Sequence, residues 1–155
     1  MLGKNLKVLH FRLKDIQVCM DLHYIEKVLP LPLLEIIPSS PIYFVGLMNF
    51  KNKCIPVLDL SICIGLVRDQ TYSLNTPILL CSDGAHQIGL IVDNVVGLGV
   101  IDEEKIEIHE EMTNKSSPFF GAVTQNTGVV LLINISWVFA LKLTEETNQY
   151  YIDHE

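Results

Sequence analysis

The chain has 155 residues, 49% of them apolar, and sets 11 Lys and Arg against 18 Asp and Glu for a net charge of −7. That length suits one domain or two small fused units. A mean hydropathy of +0.34 excludes a disordered chain, and the acidic balance argues against a phosphate-backbone binder with its basic stripe.

Read from the N-terminus, the pattern is mostly strands. Residues 7–13 alternate in part, Lys14-Asp15 is a turn, and residues 16–20 return. Asp21 is placed to cap a short helical turn carrying Leu22, Ile25 and Val28 at helical spacing, and Pro30 and Pro32 stop it. Residues 33–37 are apolar and run into Pro38-Ser-Ser-Pro41, a loop signal. A hairpin follows, with strand 46–50, turn Lys51-Asn52-Lys53 and strand 54–58. Pro56 has no N–H to give, which places it at an edge or bulge. Residues 66–77 are polar and read as a loop. Residues 78–81 form a strand, Ser82-Asp83-Gly84 a turn, and 87–92 the return.

The second half replays the first. Asp21 and Asp93, 72 residues apart, each close an apolar strand. Phe44-Val-Gly46 matches Phe119-Phe-Gly121, and Val57-Leu-Asp-Leu60 matches Leu132-Ile-Asn-Ile135, both at an offset of 75. The hairpin turns at 51–53 and 126–128 fall in step. The change of offset puts about three extra residues near 101–118. Such a duplication predicts two small β-barrels of about five short strands each, from a pseudo-repeat of about 8–65 and 78–140 in a single domain 1–155, with a tail at 142–155. Closure removes exposed edges. Each half alone would bury little core, so the two are expected to pack together.

Catalytic templates are missing. There is no Gly-x-Ser-x-Gly, P-loop or His-Glu-x-x-His; His109-Glu-Glu111 lacks the second His, and Gly97-Leu-Gly99 lacks the third glycine. The five His are scattered, and the Cys at 19, 54, 63 and 81 form no Cys-x-x-Cys pair, which reads as buried cytosolic thiols rather than a disulfide frame or zinc site. No enzyme activity, cofactor or metal is expected. The alternative of another class is a small metal- or ligand-dependent β-barrel enzyme, which a polar pocket of converging His and Asp would reveal. Residues 1–13 are broken by Lys4, Lys7 and Arg12, so no leader is expected. Residues 129–141 are too short to span a bilayer and carry Asn134 and Ser136. The expected address is the cytoplasm. The acidic stretch 102–111 reads as a solvated loop with Ile106 and Ile108 tucked inward. Residues 144–151 either extend a final helix begun at Ser136 or dangle.

The stretch Gly46-Leu-Met-Asn-Phe-Lys-Asn-Lys-Cys-Ile-Pro-Val-Leu-Asp-Leu60 resembles the CheW family, coupling proteins of bacterial chemosensory arrays. The family pattern here is roughly Gly-Val-Ile-Asn-Leu-Arg-Gly, two variable positions, then Pro-Val-Ile-Asp-Leu. Phe11-Arg-Leu-Lys-Asp15, residues 22–28, Ile88-Gly-Leu-Ile-Val-Asp93 with Val96, and residues 130–135 also match, so the resemblance covers about 8–140. It implies a mainly β fold of two SH3-like five-stranded barrels side by side, with short helices. It also implies a non-catalytic adaptor that joins the cytoplasmic tip of a methyl-accepting chemoreceptor to the regulatory domain of a CheA-type histidine kinase. Nucleic acid and direct membrane insertion have no part in that reading. A twitching-motility or other non-flagellar chemosensory pathway is the nearer alternative.

By the same resemblance, Lys51, Asn49, Gly46, Ile25 and Val28 face the receptor, and Phe44, Val45 and Lys27 the kinase. The residues' own chemistry leaves alternatives. Lys51 projects from a turn, either solvated or paired with a carboxylate. Asn49 either satisfies nearby backbone or touches a partner. Gly46 admits another chain or marks a bulge. Ile25 and Val28 share one face of the short helix, as core or as groove. The sequence departs from the family at Lys51 for Arg, a point charge for a planar fork; at Asn52 for Gly, which still tolerates a left-handed turn; and at Lys27 for Glu, beside Glu26.

Overall fold

Strands such as Val18-Cys-Met20 and Ile78-Leu-Leu-Cys81 are apolar at every position because both of their faces are buried. The computed structural model describes residues 4–68, 71–108, 117–126 and 128–143. The strands are β1 (Asn5–Leu13), β2 (Ile16–Asp21), β3 (Ile25–Pro30), β4 (Phe44–Phe50), β5 (Lys53–Asp59), β6 (Pro77–Ser82), β7 (Gln87–Ile91), β8 (Asn94–Asp102), β9 (Phe119–Gln125) and β10 (Gly128–Ile133). Helices α1 (Leu60–Cys63) and α2 (Ile135–Phe139) follow β5 and β10, and 3-10 turns lie at Leu22–Tyr24 and Glu103–Lys105.

Two five-stranded sheets result, in the orders β8-β1-β2-β10-β9 and β3-β6-β7-β5-β4. The halves of the chain do not each fold on themselves, as a simple tandem of barrels would require. Residues 25–91 build the second sheet alone, and the first sheet combines β1 and β2 with β8, β9 and β10. The chain crosses between sheets just after Asp21 and again around Asp93, the pair of aspartates that the sequence offset singled out. Asp21 caps the first 3-10 turn through the His23 N–H. β3 and β8 are therefore exchanged strands, each hydrogen-bonded to the first strand of the other half, β6 and β1.

Alternation divides the apolar side chains among three cores. Val8, Cys19, Val130 and Leu132 fill the first sheet's own interior, and Met48, Ile55, Val57, Ile78 and Leu80 fill the second's. The opposite faces meet in a larger shared core. Leu9, Phe11, Val18 and Met20 of the first sheet pack there with Leu58, Leu79, Cys81 and Leu90 of the second, and Leu60, Ile135 and Val138 of the helices join them. The expected packing of two units is thus a continuous buried seam.

Several local expectations change. Residues 25–30 are strand, so Ile25 and Val28 share no helix face. A bulge between Ile25 and Lys27 breaks the period of two and gives the stretch its misleading spacing of three. The β4–β5 connection is tighter than the three residues expected, since Phe50 pairs with Lys53 and only Lys51 and Asn52 turn. Their φ values of 51° and 65° are those of a type I′ hairpin. Pro56 lies within β5, not at the sheet edge, but β5 pairs with β7 only from Val57 onward. Counted out from the turn, the Leu47–Pro56 pair is of the non-hydrogen-bonded kind, so no ladder bond is lost. In the acidic stretch Ile106 does pack inward, whereas Ile108 is exposed. Residues 109–111 and the tail at 144–151 lie outside the described residues. The outer edges of β4 and β9 are each met by one residue of the preceding segment, Glu35 opposite Leu47 and Glu107 opposite Ala122.

Candidate functional site

The type I′ turn holds Lys51 at the tip of the β4–β5 hairpin. From there its Nζ lies 5.3 Å from the centroid of the Phe50 ring. Lys27, on β3 across the sheet, brings its Nζ to 5.7 Å from the same ring. These two, with Lys53, Glu26, Gln87 and Leu80, line a cleft of about 290 Å³. The Gln87 amide donates to both Glu26 carboxylate oxygens at 3.2 Å. Lys27 and Lys51, which the resemblance divides between two partners, therefore stand in one basic cleft.

The other expected contacts separate. Val28 is 44% exposed, while Ile25 is half-buried against the shared core. Asn49 is exposed on β4 opposite Cys54. Gly46 is buried, and a Cβ there would lie 2.6 Å from the Glu35 carbonyl oxygen. The close approach it permits is made by its own chain, and the ladder shifts register between Phe44 and Gly46, so the bulge reading holds too. Phe44 is buried in the shared core and Val45 packs half-buried on the second sheet's interior. The exposed apolar groups of that edge are instead Leu33, Ile36 and Ile42.

Sequence reasoning missed two features. On β8, Val96, Leu98 and Val100 are 63%, 72% and 58% exposed, a stripe of three large apolar side chains on one face of an edge strand. The signal was there as alternation with Gly97 and Gly99, but the polarity is inverted, apolar outward. At Gly99 a Cβ would come 2.5 Å from His10 Nε2, so the absence of a side chain there leaves room for the imidazole. Burial lowers the His10 pKa in this packing.

The second missed feature is a polar clasp beside the seam. Arg68 Nε donates to Asp59, and its Nη2 donates to Asp59 Oδ1 at 3.3 Å and to Asp93 Oδ1 at 2.7 Å. Asp59 is wholly buried and also accepts from the Tyr72 hydroxyl at 2.6 Å and the Ile62 N–H of α1 at 3.3 Å. Asp93 accepts the Lys14 N–H of the β1–β2 turn at 2.5 Å. Burial alone would lower the Arg68 pKa, but its bonds to Asp59 and Asp93 outweigh that and raise it. The Tyr72 hydroxyl is raised by burial and by Asp59.

Burial pushes the Cys19 and Cys81 thiols up to about 12, with a minor contribution from Glu26 at Cys81. Cys63 reaches about 12 through burial and the Asp59 charge. These three are packing groups rather than nucleophiles. Cys54 is exposed, against the expectation of buried thiols. Among the described residues no three His, Cys, Asp or Glu converge as metal ligands, and no helix is long and apolar enough to cross a membrane.

Known proteins share this arrangement. The chain aligns at 26% identity over 116 residues with the chemotaxis protein CheW of Thermotoga maritima, covering 75% of this chain and 73% of that one. A probable chemotaxis protein CheW of Rhizobium etli is 21% identical over 136 residues, 86% and 87% of the two chains. The crystal structure of the scaffolding protein TtCheW from Thermoanaerobacter tengcongensis superposes with a TM-score of 0.78 at 25% identity, over 90% of this chain and 95% of that one. The family model of the CheW-like domain matches residues 7–142, and the chain belongs to that family.

Proposed function

We propose that this non-catalytic chemotaxis adaptor joins the cytoplasmic tip of a methyl-accepting chemoreceptor to the regulatory domain of a CheA-type histidine kinase, on the cytoplasmic side of the membrane. The observation that carries the reading is the outward stripe Val96, Leu98 and Val100. Large apolar side chains aligned on an edge strand suit the apolar face of a receptor helix. Val28 on the other exchanged strand and Lys51 at the hairpin tip extend the same assignment, and Asn49 stands exposed just before Lys51 in the chain. The kinase side is assigned to the edge beside β4. There the accessible groups are Leu33, Ile36 and Ile42, so Phe44 and Val45 support that edge from within. Ile25 likewise supports the receptor side from within, whereas Gly46, which the resemblance gives to the receptor, packs against the Glu35 backbone at the edge assigned to the kinase. A coupling protein needs a contact surface for each partner on one framework.

The test is co-purification with the receptor cytoplasmic fragment and the kinase regulatory domain of the same organism. The reading expects a complex with each alone and a ternary complex with both. Failure of the wild-type chain to bind either one would overturn it.

A further inference from the structure

We infer that the cleft beside the Arg68 clasp binds a small zwitterion, a molecule of amino-acid or dipeptide size with one ammonium and one carboxylate. The cleft has a volume of about 690 Å³, which suits a small molecule and is far larger than a single ion needs. It lies where the two sheets meet. Lys14 and Asp15 line it from the β1–β2 turn of the first sheet, Ser61 from α1, and Ser73 and Thr76 from the segment that leads into β6 of the second. The receptor and kinase assignments use none of these residues.

Charge decides the class of ligand. Arg68 and Asp93 also line the cleft, but they are bonded to each other. Lys14 and Asp15 are both exposed, and no ion pair among the described residues uses either side chain. The cleft thus offers one free ammonium and one free carboxylate. A simple anion would meet Lys14 but face Asp15 and Asp93, and a simple cation would meet Asp15 but face Lys14 and Arg68. A zwitterion answers both charges at once. A polyol would answer neither, and Val92 is the single apolar residue in the lining on which a sugar ring could lie.

Hydrogen bonding points the same way. Ser61 is 1% exposed, and its hydroxyl has no partner among the described residues, an arrangement that costs stability until an acceptor arrives. The Ser73 and Thr76 hydroxyl oxygens accept the Asn75 and Ser73 N–H groups at 3.1 and 2.8 Å. Their own O–H hydrogens are left to donate. Three hydroxyl donors and the Lys14 ammonium match a carboxylate, which accepts several hydrogen bonds. Asp93, with its side chain 25% exposed, keeps lone pairs that can join Asp15 in receiving the ammonium. A ligand held from both sides would brace the first sheet's turn against the second sheet's loop.

The experiment is a titration of the full chain followed by amide NMR and by thermal unfolding. Glycine and diglycine serve as zwitterions, acetate and ethylammonium as half-ligands, and sulfate and glucose as competing classes, all at one ionic strength. Each zwitterion should give saturable shifts at residues 14, 15, 61, 73 and 76 and raise the melting temperature with its concentration. Acetate and ethylammonium should bind at least about tenfold more weakly, since each leaves a charged hydrogen-bonding group unmet. K14Q and D15N should each weaken diglycine binding about threefold, and K14R, which keeps the charge, should stay within about twofold of wild type. S61A should melt no lower than wild type, because the lost hydroxyl had no partner, yet bind diglycine more weakly. The absence of saturable shifts with the zwitterions would overturn the site. So would half-ligands, sulfate or glucose that match diglycine, or full affinity in K14Q, D15N or S61A.

Discussion

Replacing Arg68 with Met should be among the costliest single changes away from the apolar core. Asp59 is wholly buried, and Arg68 is the cation that compensates it. Removing one member of a buried pair typically costs about 3–5 kcal/mol, because a charge is left without its partner in a poorly polarisable interior. Asp59 keeps the Tyr72 hydroxyl and the Ile62 N–H, which argues for the lower end, about 3 kcal/mol. At about 2–4 °C per kcal/mol for a chain of this size, the melting temperature should fall by roughly 6–12 °C. Met fills much of the arginine's volume, so the loss measures charge rather than a cavity.

The fold supplies its own control. Asn134 stands before α2 as Asp59 stands before α1, accepting from the Trp137 N–H and donating through Nδ2 to the Ser117 carbonyl. An asparagine can therefore cap this kind of helix without a cation. D59N/R68M should recover most of what R68M loses and end within about 1.5 kcal/mol of wild type, since replacing a buried pair whole is often close to neutral. Urea unfolding, read as midpoint and slope, supplies all four corners of the cycle. If R68M lies within 1 kcal/mol of wild type, or the double variant is less stable than R68M, the account of the clasp is wrong.

L98D should leave stability within about 0.5 kcal/mol, as an exposed position allows. It should weaken receptor-fragment binding at least tenfold, because a buried Leu contributes about 1.5–3 kcal/mol; unchanged calorimetric affinity would remove the stripe from the interface. G46A should destabilise by about 1–3 kcal/mol by pushing a methyl against the Glu35 carbonyl and disturbing the paired Glu35–Leu47 hydrogen bonds; a wild-type urea midpoint would show that the segment yields freely. His10 is held toward its neutral form, so its folded pKa lies below the unfolded value of about 6.5. Its contribution is therefore full above that pH and is lost as pH falls through the folded pKa. Between pH 7.5 and 5.5 the wild type should lose more stability than H10Q, and parallel losses would rule the linkage out.

Local structure was legible where a period or a turn is written in consecutive residues. Residues 7–13 and 16–20 became β1 and β2 with small changes at their ends, and the Lys51-Asn52 turn fell where expected. β3 was not legible, because its bulge at Glu26 spaces Leu22, Ile25 and Val28 like a helix. β8 was passed over because its apolar side chains point outward, against the rule by which strands are recognised. Exchange of β3 and β8 lies beyond any local pattern, since it depends on which distant strand completes a ladder. The candidate site followed the same division. Lys51 and Lys27 stood out one by one as departures from a motif. Their meeting over Phe50 needed the hairpin folded beside β3. Asp59 was quoted only as part of a strand motif, and its partner Arg68 sits nine residues on in a polar loop with no periodic signal.

The exchange also bears on how such a chain can couple two partners. β3 carries Lys27 and Val28, and β8 carries Val96, Leu98 and Val100, so the two strands proposed to face the receptor are the two that changed sheets. Each is zipped to the opening strand of the other half, β3 to β6 and β8 to β1. The sheets they join are fused through Phe11 and Met20 on one side and Leu79 and Leu90 on the other. Arg68 reinforces the crossing at Asp93. In a plain tandem of barrels, the two surfaces would hang on separate units joined by a linker, and a partner could tilt one without moving the other. Here a displacement of β8 must drag β1 and with it the shared core, which resists shear because its side chains interlock at near-crystalline density. The exchanged topology thus fixes the spacing between recognition faces, and a scaffold transmits position only as well as that spacing holds.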